Sequence, residues 1–105
     1  MSDTLARLEA TIAARRGTDP ASSYVASLFA KGRPRIARKF GEEAIETIVA
    51  ALAEDRTELV GEAADTLFHL MVLLADAGIP LADVLGELDR REGTSGIEEK
   101  AGRAG

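Results

Sequence analysis

Two acidic clusters, Glu42-Glu43-x-x-Glu46 and Glu62-x-x-Asp65, carry the densest chemistry in the chain. Members of each cluster are mostly three or four residues apart, so each cluster lies on one face of a helix. A hairpin turn centred near Glu54 sets Glu43 opposite Asp65 and Glu46 opposite Glu62, bringing four carboxylates together. None of these acids is followed three or four residues later by Lys or Arg, the order that favours ion pairs on a helix. Instead Glu42 and Glu43 face Glu46, while Glu62 faces Asp65 and Glu58, each like-charged pair costing about 0.2–0.5 kcal/mol on an isolated helix. A bound divalent cation reverses that sign, and facing helices that project carboxylates inward are one way in which bundles hold metals. A solvated acidic helix face is the alternative.

The available ligands narrow the choice of ion. The chain has no cysteine and a single histidine, so oxygen must supply the ligands. That favours Mg²⁺, or Mn²⁺, over zinc, copper or iron. Calcium fits on ligand type alone, but the sequence has no EF-hand-like loop. Mg²⁺ held by a few carboxylates keeps positions for water and substrate phosphates, which points to phosphate-ester or phosphoanhydride chemistry. The stretch from Lys31 to Lys39 holds five cations and no acid immediately before the first cluster. Lys39 shares the acidic face, and Lys31, Arg33, Arg35 and Arg38 are within reach of phosphates bridging to the metal. Taken singly, Arg33 and Arg38 read as solvated cations and Lys39 as an offset to the acidic sector.

Helices must position these groups. With four aromatics in 105 residues the chain is poor in strand formers, and its length allows one domain with a modest core. Leu5, Leu8 and Ile12 mark a first helix ending near Gly17. Asp19 and Pro20 open a second, with Tyr24, Val25, Leu28 and Phe29 on its apolar face up to Gly32. Pro34 begins a third, running to about Ala53 with Ile36, Phe40, Ala44, Ile45, Ile48, Val49 and Leu52 inward. Asp55 and Glu58 form a capping box for a fourth, with Leu59, Val60, Ala63, Leu67, Leu70, Met71 and Leu74, ending at Gly78. Pro80 starts a fifth, over about Leu81 to Arg91. The tail over 93–105 is glycine-rich and expected to be loosely ordered.

On the third helix, Lys39, Glu42, Glu43 and Glu46 fall within a sector of about 100°. The apolar arcs of the third and fourth helices exceed half the circumference, more than one hairpin covers. The expected architecture is therefore an all-α bundle of about five helices with a central hairpin, completed by dimerisation. A net charge of −5 argues against nonspecific nucleic-acid binding. No basic leader or membrane-length apolar window is present, so no membrane association is expected and a cytoplasmic protein is the simplest expectation. Tyr24 reads as core, with stacking on a base as the alternative. His69 reads as a packed or interface residue rather than a catalyst, and Gly61 as either a close helix approach or a tolerated glycine.

The strings Ser23-Tyr24-Val25, Leu28-Phe29-Ala30-Lys31-Gly32, Arg35-Ile36-x-x-Lys39-x-Gly41-Glu42-Glu43-Ala44-x-Glu46 and Glu62-Ala63-Ala64-Asp65-x-Leu67-x-His69-Leu70 together resemble phosphoribosyl-ATP pyrophosphatases. So does Glu87-Leu88-x-Arg90-Arg91-x-Gly93-x-Ser95-Gly96-Ile97-Glu98-Glu99-Lys100. The acids alone indicate only the wider all-α nucleotide pyrophosphohydrolase superfamily, which includes MazG-like and dimeric dUTPase-like enzymes. The resemblance implies hydrolysis of phosphoribosyl-ATP to phosphoribosyl-AMP and pyrophosphate, the second step of histidine biosynthesis, with Mg²⁺ as cofactor. It also implies that Glu43, Glu46, Glu62 and Asp65 are metal ligands. Glu42 would be a further ligand or orient the water, and Lys31, Arg35 and Lys39 would grip phosphates. The family usually carries Lys where Arg35 stands and lacks Pro34. This chain lacks the cyclohydrolase domain that some members carry, so the next pathway enzyme is expected to be separate. Two other readings stay open on residues alone: a house-cleaning nucleoside triphosphate pyrophosphatase, and a non-catalytic helical dimerisation module.

Overall fold

The computed structural model describes residues 3–93, so the expectation for the tail falls outside the described residues except at Gly93. Five helices follow one another: α1 (Thr4–Arg15), α2 (Tyr24–Lys31), α3 (Arg33–Leu52), α4 (Arg56–Asp76) and α5 (Leu81–Arg91), with no strand among the described residues. The architecture is all-α, as the scarcity of aromatics and the helical spacing predict.

The boundaries follow from capping chemistry, with one correction. Asp19 does not open α2. Its carboxylate instead closes a short turn by accepting from Ala21 N at 3.0 Å, and its carbonyl accepts from Ser22 N. The helix starts after Ser23, whose hydroxyl accepts from Ala26 N. Ser23 therefore satisfies a first-turn N–H that Asp19, already engaged, does not reach. Between α2 and α3 one residue, Gly32, serves both as C-cap and N-cap with φ +94°, a conformation that side chains resist. The basic run is thus bent sharply after Lys31. Between α3 and α4 the chain reverses through Glu54, at φ 58°, and Asp55 caps α4 by accepting from Glu58 N at 3.0 Å. Leu81 N at the start of α5 donates to Glu9 Oε2 on α1 at 2.7 Å.

The antiparallel hairpin of α3 and α4 is the spine, and α1 and α2 cover only one end of it. There Ile12, Val25, Leu28, Ile36, Met71 and Val72 form the buried core, with Leu8, Phe29 and Phe68 packed against it. Burying side chains of this size contributes about 1.5–3 kcal/mol each. The other end of the hairpin carries Ile45, Ile48, Val49, Leu52 and Val60 more than half exposed. These residues are therefore not core within the protomer, because no other described element reaches them. Arg33 is exposed, as a solvated cation would be, but it is also paired. Its Nε donates to Asp76 Oδ2 at 2.7 Å and a second guanidinium nitrogen donates to the Asp76 carbonyl, tying the start of α3 to the end of α4. Arg16 joins the same carboxylate at 3.8 Å and lies over the ring of Phe29, so the three helix ends are held together. No single described helix is long and apolar enough to cross a membrane.

Candidate active site

The acidic residues meet where α3 and α4 cross the edge of the core. Glu43, Glu62 and Asp65 each place a carboxylate oxygen so that the three lie within 4.8 Å of one another. Glu46 is exposed and not one of these three, but it lies close enough to Glu43 and Glu62 for their carboxylates to act on its own. The local reason is helical spacing, and the tertiary reason is a pair of threonines. The Thr47 and Thr66 hydroxyls meet at 2.7 Å between the helices, one donating to the other, whose own proton goes to the carbonyl one turn back, that of Glu43 or Glu62. This staple sits directly behind the acids and fixes the level at which they face each other.

Electrostatics show that the cluster lacks positive charge. Glu43 is buried, which pushes its carboxyl up, but hydrogen bonds from Lys39 and Glu46 outweigh burial and hold it below the usual range. Lys39 Nζ lies 3.1 Å from Glu43, and that hydrogen bond raises the ammonium above its ordinary value. Glu46 is pushed up to about 7, first by hydrogen bonding to Glu43 and then to Glu62. Glu62 Oε2 is buried with no hydrogen-bond partner among the described residues. A buried carboxylate oxygen left unpartnered costs on the order of 1–3 kcal/mol or more. Three converging carboxylates, a neighbouring carboxyl raised by them and an orphaned oxygen together fit a hard divalent cation with oxygen ligands.

Beside the acids lies an open cavity of about 300 Å³, walled by Tyr24, Leu28, Lys31, Arg35, Arg38, Lys39 and Glu42. Gly32 places Lys31 on α2 across from Arg35 on α3, so the basic run lines two sides of one space. Glu42 stands at the junction, half exposed, with Arg38 at 3.5 Å and Lys39 at 3.9 Å. Lys39 faces both ways, since it lines the cavity and pairs with Glu43. The predicted groups are therefore brought together in two adjoining compartments, one anionic and one cationic. Arg33 is the exception in the basic run, being held by Asp76 away from the cavity lining.

A chain matching the phosphoribosyl-ATP pyrophosphohydrolase family over residues 5–92 contains both compartments within the match. The chain belongs to that family. It is 70% identical over 103 residues to the phosphoribosyl-ATP pyrophosphatase of Rhizorhabdus wittichii, covering 98% of this chain and 97% of the relative. The corresponding proteins of Novosphingobium aromaticivorans and Paramagnetospirillum magneticum are 67% and 62% identical, each over at least 94% of both chains. The family therefore spans both the acidic pair of helices and the basic elbow.

Two features escaped sequence reasoning. Tyr24 is not core: it is 51% exposed and forms part of the cavity wall. Its hydroxyl is instead anchored to His69 Nε2 at 2.9 Å, a contact between residues 45 apart that no local pattern signals. The Thr47–Thr66 staple is likewise invisible, because threonines on two helix faces give no periodic signal of mutual contact. At Gly61 nothing among the described residues comes within 4 Å of an added Cβ, so no close helix approach within the protomer explains it.

Proposed function

We propose that this protein hydrolyses phosphoribosyl-ATP at the α–β phosphoanhydride, releasing phosphoribosyl-AMP and pyrophosphate in the second step of histidine biosynthesis. The observation that carries the proposal is the adjacency of a charge-deficient carboxylate cluster and a cation-lined cavity, sharing Lys39 as their common wall. Relatives named for this activity cover nearly the whole chain.

Glu43, Glu46, Glu62 and Asp65 would hold Mg²⁺, with Mn²⁺ able to replace it. When bound, the ion supplies positive charge to the phosphate oxygens at the scissile bond and to the nearby water. Lys31 and Arg35 grip phosphates across the cavity, and guanidinium geometry suits two phosphate oxygens at once. Lys39 keeps Glu43 ionised and aimed into the cluster while offering its remaining donors to the substrate. Glu42, at the mouth between the compartments, orients the attacking water. The water oxygen bonds to the α-phosphorus as the bond to the departing pyrophosphate breaks, and the water's proton is released to solvent, so positioning and electrostatics account for most of the rate. No side chain needs to act as a nucleophile.

A second copy of the chain covers the exposed apolar end of the hairpin, giving a homodimer. The enzyme works in the cytoplasm. Pyrophosphate release from phosphoribosyl-ATP, compared with release from dUTP and ATP under the same Mg²⁺ concentration, tests the assignment. The expected order has phosphoribosyl-ATP fastest, and faster turnover of an ordinary nucleotide would defeat it in favour of a house-cleaning pyrophosphatase.

A further inference from the structure

Tyr24 and His69 have no part in the chemistry above, yet they are joined at the seam between the two compartments. The Tyr24 ring lines the cavity, whereas His69 behind it is only 4% exposed. For a neutral imidazole their hydrogen bonds can be ordered in one way. His69 Nδ1 lies 2.7 Å from the backbone carbonyl oxygen of Asp65, and a carbonyl only accepts, so Nδ1 carries the proton. In the neutral ring Nε2 then bears a lone pair and no proton. The Tyr24 hydroxyl, 2.9 Å away, must therefore donate to it. With its one proton committed, the phenolic oxygen has only lone pairs left for the cavity. Phe68 holds the arrangement, stacked near Tyr24 with centroids 6.2 Å apart and edge-on to His69 at 5.0 Å.

An oxygen that can only accept is a poor neighbour for phosphate oxygens, which also accept, but it suits a hydroxyl group. We propose that Tyr24 is a specificity-determining residue whose oxygen accepts a hydrogen bond from a hydroxyl of the adenosine ribose, and that His69 is the positioning residue that sets its direction. This rests on phosphoribosyl-ATP being the substrate. With the triphosphate against Lys31 and Arg35 and the scissile bond at the carboxylates, the adenosine ribose hydroxyls are the substrate donors nearest the α-phosphate. Tyr24 stands beside both groups of residues, sharing the cavity wall with Lys31, Arg35 and Lys39 and linked through His69 to the backbone of Asp65.

Two measurements test the proposal. His69 is the sole histidine in the chain, so ¹⁵N–¹H correlation of the neutral imidazole reads its tautomer without ambiguity. A proton on Nδ1, with an Nε2 resonance that moves in Tyr24→Phe, is expected; a proton on Nε2 overturns the ordering. In kinetics with phosphoribosyl-ATP and its 2′-deoxy and 3′-deoxy adenosine-ribose analogues, the unaltered enzyme should lose about fivefold in KM on one of the two analogues. Tyr24→Phe should raise KM for the parent substrate by a similar factor and treat all three alike. Equal treatment of the three by the unaltered enzyme, or undiminished discrimination by Tyr24→Phe, overturns the ribose contact. Failure of the unaltered enzyme to hydrolyse phosphoribosyl-ATP would overturn the substrate assignment and the ribose contact with it, a result told apart by an Nδ1-protonated spectrum.

Discussion

Binding of Mg²⁺ to the metal-free protein should expel a proton, and the amount should change with pH in a way that Glu46 dictates. Glu46 is held up to about 7 by its hydrogen bonds to Glu43 and Glu62, against a carboxylate's ordinary 4.5. A cation among the same oxygens replaces that proton, since metal ligation requires the carboxylate form. Treating the shared proton as one site near 7, the release is about 0.9 proton per site at pH 6, about 0.5 at pH 7 and about 0.1 at pH 8. Isothermal titration calorimetry in buffers of different ionisation enthalpy measures this number as a slope. The sign for folding is equally definite. Between 4.5 and about 7 the folded protein retains a proton that the unfolded chain has lost, so metal-free stability falls as pH rises through this window. Added Mg²⁺ should oppose that fall. A buffer slope near zero at pH 6, or one that does not shrink by pH 8, would refute the reasoning, as would an unchanged slope in Glu46→Gln.

Other consequences can be checked with single substitutions. Glu46→Gln and Glu62→Gln should each lower kcat by about 100-fold or more, while raising the metal-free melting temperature and abolishing its increase with Mg²⁺, as differential scanning fluorimetry would read. Arg35→Ala removes a half of the cationic elbow that is exposed and outside the core, so KM should rise by about 10- to 100-fold, as expected for a charge-assisted hydrogen bond, with little change in denaturation midpoint. Asp76→Ala frees Arg33 and Arg16 and unties three helix ends; chemical denaturation should show a loss of about 1–3 kcal/mol. Val49→Asp with Leu52→Asp places charge on the uncovered end of the hairpin, and light scattering should show conversion of a dimer to a monomer. An unaltered protein that is already monomeric would contradict the dimer.

Local regularities made much of this protein legible before folding was considered. Spacing of three and four put Glu42, Glu43 and Glu46 on one helical face, and the turn near Glu54 aligned that face with Glu62 and Asp65. The Asp55 cap of α4 and the start of α5 at Pro80 are readable because caps act within one turn of the residue that makes them. Asp19 and Ser23 are both competent caps for α2, and only the turn at Ala21 and Ser22 decides between them. A helical period also states how wide an apolar arc is without stating what covers it, which is why Ile45 and Ile48 could be marked as apolar-face residues and still lie exposed.

Sequence by itself therefore determined the all-α class, the hard-ligand character of the acids and the charge of the elbow that precedes them. These depend on residue type and on neighbours within a turn or two. Tertiary structure alone decided that the Thr47 and Thr66 hydroxyls meet behind the carboxylates, that Asp76 withdraws Arg33 from the cationic group, and that His69 turns Tyr24 into a wall of the cavity. Each is a contact between positions 19 to 45 residues apart. Such pairs are selected by how the helices dock, and docking is set by the shape of the buried core rather than by any pattern along a single helix.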